Sequence, residues 1–260
     1  MGNNPVKFSY KQIWFIAYPI LISLVMEQLI GMTDTAFMGR VGEVELGASA
    51  IAGVYYMTFY MIAFGFSLGA QIIMGRRNGE GNYAKIGPIF YKGTYFLLGV
   101  ALVLFVSSHF VSPLILERFI DSPHVHEAAV SYIPWRVYGF FFSFVAVMFR
   151  AFFVGTTQTK TLTLNSIVMV LSNVVFNYIL VFGKLGFPAM GIAGAAIGSS
   201  LAELVSVIFF VVYTRVRVDV KKYGLNRFGL RKGEPLGNIL NISVWTMVQN
   251  FISMSTWFLF

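Results

Sequence analysis

The chain has 260 residues, of which 57% are hydrophobic and only 12% charged, and its mean hydropathy is +0.73. A water-soluble surface cannot be built from that ratio, so a soluble domain is excluded. The formal charge of +8 raises the question of nucleic acid, while the absence of Cys removes disulfides, iron–sulfur clusters, thiolate zinc sites and cysteine nucleophiles together.

Apolar runs of about 20 residues, the length that crosses a bilayer as helix, predict seven spans: 12–36, 47–74, 90–116, 131–155, 161–183, 188–214 and 235–260. An isolated strand in hydrocarbon leaves its backbone polar groups unsatisfied, and no alternating ten-residue segments suggest a barrel. The fold class is therefore all-α, a polytopic transmembrane helix bundle. With the N-terminus inside, fifteen of the nineteen Lys and Arg fall on inner segments, and the outer side keeps Arg40, Arg118, Arg136 and Lys184. The basic charge is thus topological, and no nucleic-acid partner is needed to explain it.

The first span carries Pro19, a potential kink, and then Glu27 and Asp34. Seven residues place those two carboxylates on one helix face, roughly 10 Å apart along the axis. An acid in a span is costly, so the pair is expected either to line a cavity or to cap and pack: Asp34 near headgroups, Glu27 in a hydrogen bond. The second span has Gly65-xxx-Gly69, a close-packing pattern, and the aromatic run Tyr55, Tyr56, Phe59 and Tyr60, suited to a planar cation. After it, Gly79-Glu80-Gly81 lacks the third glycine and preceding strand of a dinucleotide fingerprint, and no Walker sequence exists. His124 and His126 form a loop pair without further ligands. Pro134 lies in the fourth span, another position for a kink.

Asn173 and Asn177, four apart, stack on one face of the fifth span, where amides either glue helices or supply neutral oxygens to a cation such as Na⁺. The sixth span has Gly194-xxx-Gly198 and, near its middle, Glu203, read either as an interhelical hydrogen bond in protonated form or as part of a transport path. From Arg215 to Glu234 the chain is polar and aperiodic, which predicts a cytoplasmic linker. Pro235 opens the seventh span favourably. Laid on the first with an offset of 222, that span sets Gln249-Asn250 on Glu27-Gln28 and Met254 on Met32. A repeat of this kind, with the chain stopping in its first helix, predicts a truncated chain and a parent of about 430 to 460 residues. The domain division is 1–214 as a six-helix lobe, 215–234 as linker and 235–260 as the first helix of a second lobe. No catalytic constellation is present, so an enzyme is not expected.

Three segments in this order resemble the multidrug and toxic compound extrusion (MATE) family: YPILISLVMEQLIGMTDTAFMGRVG from Tyr18, GAQIIMGRRNGEGNY over 69–83, and from Arg150 the stretch holding NYILVFGKLGFPAMGIAGAA. The resemblance implies a twelve-helix, two-lobe transporter with a V-shaped cavity in a bacterial inner membrane. It implies export of organic cations or amphiphiles in exchange for H⁺ or Na⁺, with no other cofactor. By that comparison Asp34 is the first-helix carboxylate of the cation site, Asn173 its fifth-helix amide and Ser199 a sixth-helix hydroxyl beside them. Asn177 stands where some members carry Asp, and Gln249 near where some carry an acidic residue in the seventh helix. The alternative is a flippase for lipid-linked saccharides, which favours buried Arg and Lys for pyrophosphate. A seven-helix receptor or retinal protein calls for an outside N-terminus or a Lys in the seventh span, and 235–260 has none.

Overall fold

A computed structural model describes residues 9–226 and 235–259. Lys7, Arg227, Arg231, Lys232 and Glu234, assigned above to inner segments, lie outside the described residues, as does Phe260. Among the described residues there are eight α-helices: α1 (Tyr10–Val41), α2 (Glu43–Gly79), α3 (Ile86–Phe119), α4 (Pro123–Arg136), α5 (Gly139–Gly155), α6 (Lys160–Phe182), α7 (Gly191–Arg217) and α8 (Leu236–Leu259). Local chemistry sets their ends. The Ser9 hydroxyl accepts from the Lys11 N–H at 3.2 Å while Gln12 Oε1 accepts from the Ser9 N–H at 2.9 Å, which satisfies the first donors of α1. Gly183 ends α6 in the left-handed conformation, φ +65°, that glycine adopts without strain.

Five helices, α1, α2, α3 with its preceding turn, α6 and α7, are long and apolar enough to cross a membrane. The fourth predicted span is two helices, α4 and α5, bent by 54° across Val137 and Tyr138. Pro134 lies in α4 just before that break. The seventh predicted span is the 24-residue α8, which is less apolar than the five helices above. Its Asn238, Asn241, Gln249 and Asn250 dilute the apolar run. The predicted linker also starts late, because α7 continues through Arg215 to Arg217.

Aromatic bulk builds the centre. Phe140, Phe144, Phe152 and Phe153 of α5 are fully buried, against α2, α3 and α7. Helix α1 lies along α6, tied by a hydrogen bond from Thr163 Oγ1 to the Pro19 carbonyl at 2.9 Å, and leaves Trp14, Phe15, Val25 and Met32 exposed. Both glycine pairs act as close-packing sites. A methyl on Gly65 would sit 2.6 Å from Met247 Cα of α8, and one on Gly194 would sit 2.6 Å from the Leu180 carbonyl oxygen of α6. After α7 the chain turns back: the Gly87 N–H donates to the Tyr223 carbonyl at 2.8 Å, and Tyr91 Oη donates to the Leu225 carbonyl at 2.7 Å.

Candidate cation site

Three helices meet at Asp34. Helix α6 contributes Asn173 and Asn177, stacked one turn apart, and α7 contributes Ser199; the two amides have no exposed surface and Ser199 is buried. Asn177 Nδ2 donates to Asp34 Oδ1 at 2.5 Å, and Ser199 Oγ donates to Asp34 Oδ2 at 3.1 Å. Behind them Asn173 Nδ2 donates to Ser199 Oγ at 3.2 Å, and Asn177 Nδ2 also reaches Asn173 Oδ1 at 3.3 Å. The carboxylate is half-buried and held only by neutral donors. Asn177 Oδ1 is buried without a hydrogen-bond partner and faces Gly198, where an added methyl would collide with it. Glycine at 198 is what lets α7 approach the amide. A buried acceptor without a donor therefore lies beside the Asp34 carboxyl group.

Glu27, read above either as lining a cavity with Asp34 or as making a hydrogen bond, is engaged in the second way. It pairs with Arg150 of α5 at 2.5 Å, with the Arg150 side chain largely buried. Gln249 is exposed on α8, apart from the Asp34 cluster. The larger correction concerns Arg136, assigned above to the outer surface. Its guanidinium is buried in a two-pronged pair with Glu203, Nη2 to Oε1 at 2.7 Å and Nη1 to Oε2 at 3.1 Å. Tyr56 Oη lies 3.1 Å from both carboxylate oxygens and 2.8 Å from Ser143 Oγ. Glu203 thus serves as an ion-pair partner rather than as a lone protonated acid.

The aromatic run on α2 is also occupied. Arg136 lies 3.5 Å over the Tyr56 ring, which stacks on Phe140, and Tyr55 Oη donates to Ser108 Oγ at 3.0 Å. The cation on that surface is one of the chain's own. A signal for this was present: Arg136 and Arg150 both fall inside 131–155, and a cation within a span needs a partner. Glu203 and Glu27 were the acids left to supply one.

The MatE family model matches residues 19–179, from Pro19 within α1 to Ile179 near the end of α6, including Asp34, Asn173 and Asn177. The chain belongs to the MatE family. MatE relatives include the probable multidrug resistance protein NorM of Shewanella oneidensis, 26% identical over 208 residues that make up 79% of this chain and 45% of that protein. NorM of Streptococcus pneumoniae is 26% identical over 242 residues, 91% of this chain and 53% of that one. Among solved structures, the eukaryotic MATE transporter AtDTX14 superposes with a TM-score of 0.84 at 20% identity, over 94% of this chain and 53% of its own. A transporter of the wider MOP superfamily from Pyrococcus furiosus gives 0.82 at 18% identity, over 95% and 53%. The chain spans about half the length of the curated relatives it matches. A MatE chain with several apolar spans is a multi-pass membrane protein.

Proposed function

We propose that this chain is the first lobe of a secondary transporter that exports organic cations or amphiphiles in exchange for H⁺ or Na⁺, with its N-terminus cytoplasmic. The observation that carries the reading is Asp34, a carboxylate inside a span held by the uncharged Asn177 and Ser199 from two other helices, with Asn173 bonded behind them. Neutral donors fix its geometry and leave its charge uncompensated, so a proton can take it, or Na⁺ can sit on Asp34 with the orphan Asn177 Oδ1 as a neutral ligand. The bound cation neutralises Asp34 and so alters what the α1, α6 and α7 junction attracts, which is how an ion gradient drives substrate release. Inward movement supplies about 1.4 kcal/mol per tenfold gradient and about 2.3 kcal/mol per charge per 100 mV. NorM relatives bear the name of multidrug resistance proteins, which agrees with an organic-cation cargo.

The lipid-linked saccharide flippase asks for free buried cations to hold pyrophosphate. Arg136 and Arg150 are each committed to a carboxylate, which favours the exporter. The test is ethidium efflux from vesicles carrying the transporter that contains this chain, wild type beside Asp34→Asn, under imposed H⁺ or Na⁺ gradients. Efflux that vanishes in a correctly inserted Asp34→Asn supports the exporter, and the gradient that works identifies the ion. Efflux that persists in the variant would overturn the role of Asp34.

A further inference from the structure

Asp34 and Glu203 are served by successive turns of one helix. Ser199 donates to Asp34, and Glu203, four residues on, takes Arg136. That spacing sets both on one face of α7, about 6 Å apart along the axis. Arg136 of α4 is bound to Glu203 one turn of α7 beyond the serine that binds Asp34, so the guanidinium stands beside the same stretch of α7 as the Asp34 cluster. Of the two carboxylates served by this face of α7, only Glu203 binds the guanidinium. The nearby Glu27 and Arg150 cancel each other. Tyr56, Tyr132 and Ser143 add hydroxyls but no charge near neutral pH.

We infer that the Arg136–Glu203 pair is a fixed internal counter-pair that leaves the Asp34 site with one net negative charge, so that the site takes one monovalent cation. Glu203 is then a positioning residue: it holds Arg136 away from Asp34, where the guanidinium would otherwise stand in the cation's place. This rests on the reading of Asp34 as the coupling site. The hold is built for the purpose. Glu203 binds through both oxygens, the Tyr56 ring lies under the guanidinium at 3.5 Å and the Tyr56 hydroxyl reaches both carboxylate oxygens. A methyl on Gly139 would strike Arg136 and Glu203 and come within 3.0 Å of Tyr56 Oη, so the first residue of α5 has to be glycine for the pair to close. Coulomb attraction at this range in a partly dry site exceeds that between solvated charges several-fold. Released from Glu203, the guanidinium has Asp34 as its next anion.

The experiment measures cation binding by the purified full-length transporter in detergent, with radiolabelled Na⁺ and, by back-titration in unbuffered solution, H⁺. Wild type is expected to bind one cation per chain at this site and Asp34→Asn none. Glu203→Gln is expected to weaken binding at least about tenfold, because the cluster is then neutral without a cation. Adding Arg136→Met to Glu203→Gln restores the net negative charge and is expected to bring affinity back to within about threefold of wild type. Wild-type affinity in Glu203→Gln would overturn the inference, and so would a double variant that stays monodisperse yet binds as weakly as the single one. The two readings fail separately: an Asp34→Asn that keeps its cation sinks the exporter site itself, whereas loss in Asp34→Asn with a silent Glu203→Gln sinks only the role of Arg136 and Glu203.

Discussion

Asp34 of α1 and Glu203 of α7 are both carboxylates inside spans, the first bound by Ser199 one turn of α7 before the second, and they are held in opposite ways. Asp34 has one amide and one hydroxyl, backed by Asn173, so its position is fixed and no cationic side chain is bonded to it. Glu203 has a guanidinium gripping both oxygens, so its charge is already answered. A titratable group in hydrocarbon is therefore not informative by residue type. The charge of its partner decides whether it can exchange an ion or serves to hold the bundle.

The contrast breaks hardest at Arg136. Arg136→Met alone leaves Glu203 a buried acid with only Tyr56 for company, and is expected to cost about 3 to 5 kcal/mol. Removing Asp34's charge as Asn keeps a hydrogen-bonding side chain of the same shape and is expected to cost much less. Thermal unfolding followed by size-exclusion chromatography ranks the two, and equal melting temperatures would remove the distinction between the sites. Next comes Gly198→Val. Its side chain must push α7 off Asn177, an overpacking expected to cost about 3 kcal/mol, and it displaces the amide that holds Asp34. Loss of cation binding with a lowered melting temperature is the expected result; a variant that binds normally would show that the close approach of α6 and α7 is not what sets the site. Ser199→Ala is milder. It deletes the donor to Asp34 Oδ2 and the acceptor for Asn173 Nδ2, at an expected cost of about 1.5 kcal/mol, and a cation titration should show weakened binding with the fold intact.

How much of this was legible in the sequence follows from the same physics. Six spans, the two glycine pairs and the union of Asp34 with Asn173, Asn177 and Ser199 could be read, because hydropathy, four-residue spacing and the family resemblance are local or ordered along the chain. The ion pairs could not be read so directly. Arg136 and Glu203 are 67 residues apart, and Arg150 and Glu27 are 123 apart, and spacing on a helix says nothing of such partners. The topological charge count set Arg136 outside because it treats each cation near a helix end as a loop cation. The bend at Val137 and Tyr138 was marked by Pro134, read above as a position for a kink, but the hydropathy of 131–155 runs through it as one span. The seventh span met the length criterion, and its four amides make it less apolar than the other spans.

The smallest expected effect lies at the surface, where an acid with two arginines gives a control for the buried pair. Glu80 follows α2, and its oxygens accept from Arg76 Nε at 2.9 Å, Arg77 Nη1 at 2.8 Å and Asn82 Nδ2 at 3.2 Å. The Arg77 hydrogen bond, then those of Asn82 and Arg76, holds its carboxyl down at about 2, against an ordinary value of 4.5. The sign follows: a depressed acid favours the folded turn fully above the ordinary value, and that help is lost as pH falls toward about 2. Water and salt screen so exposed a cluster, so little of this reaches global stability. Glu80→Gln is expected to leave the melting temperature unchanged within error. Its effect should be local, as faster amide hydrogen exchange over residues 80–82 near neutral pH, with the difference from wild type closing as the wild-type acid takes its proton. A melting temperature that fell as far as in Arg136→Met would mean that burial is not what separates a structural ion pair from a surface one in this bundle.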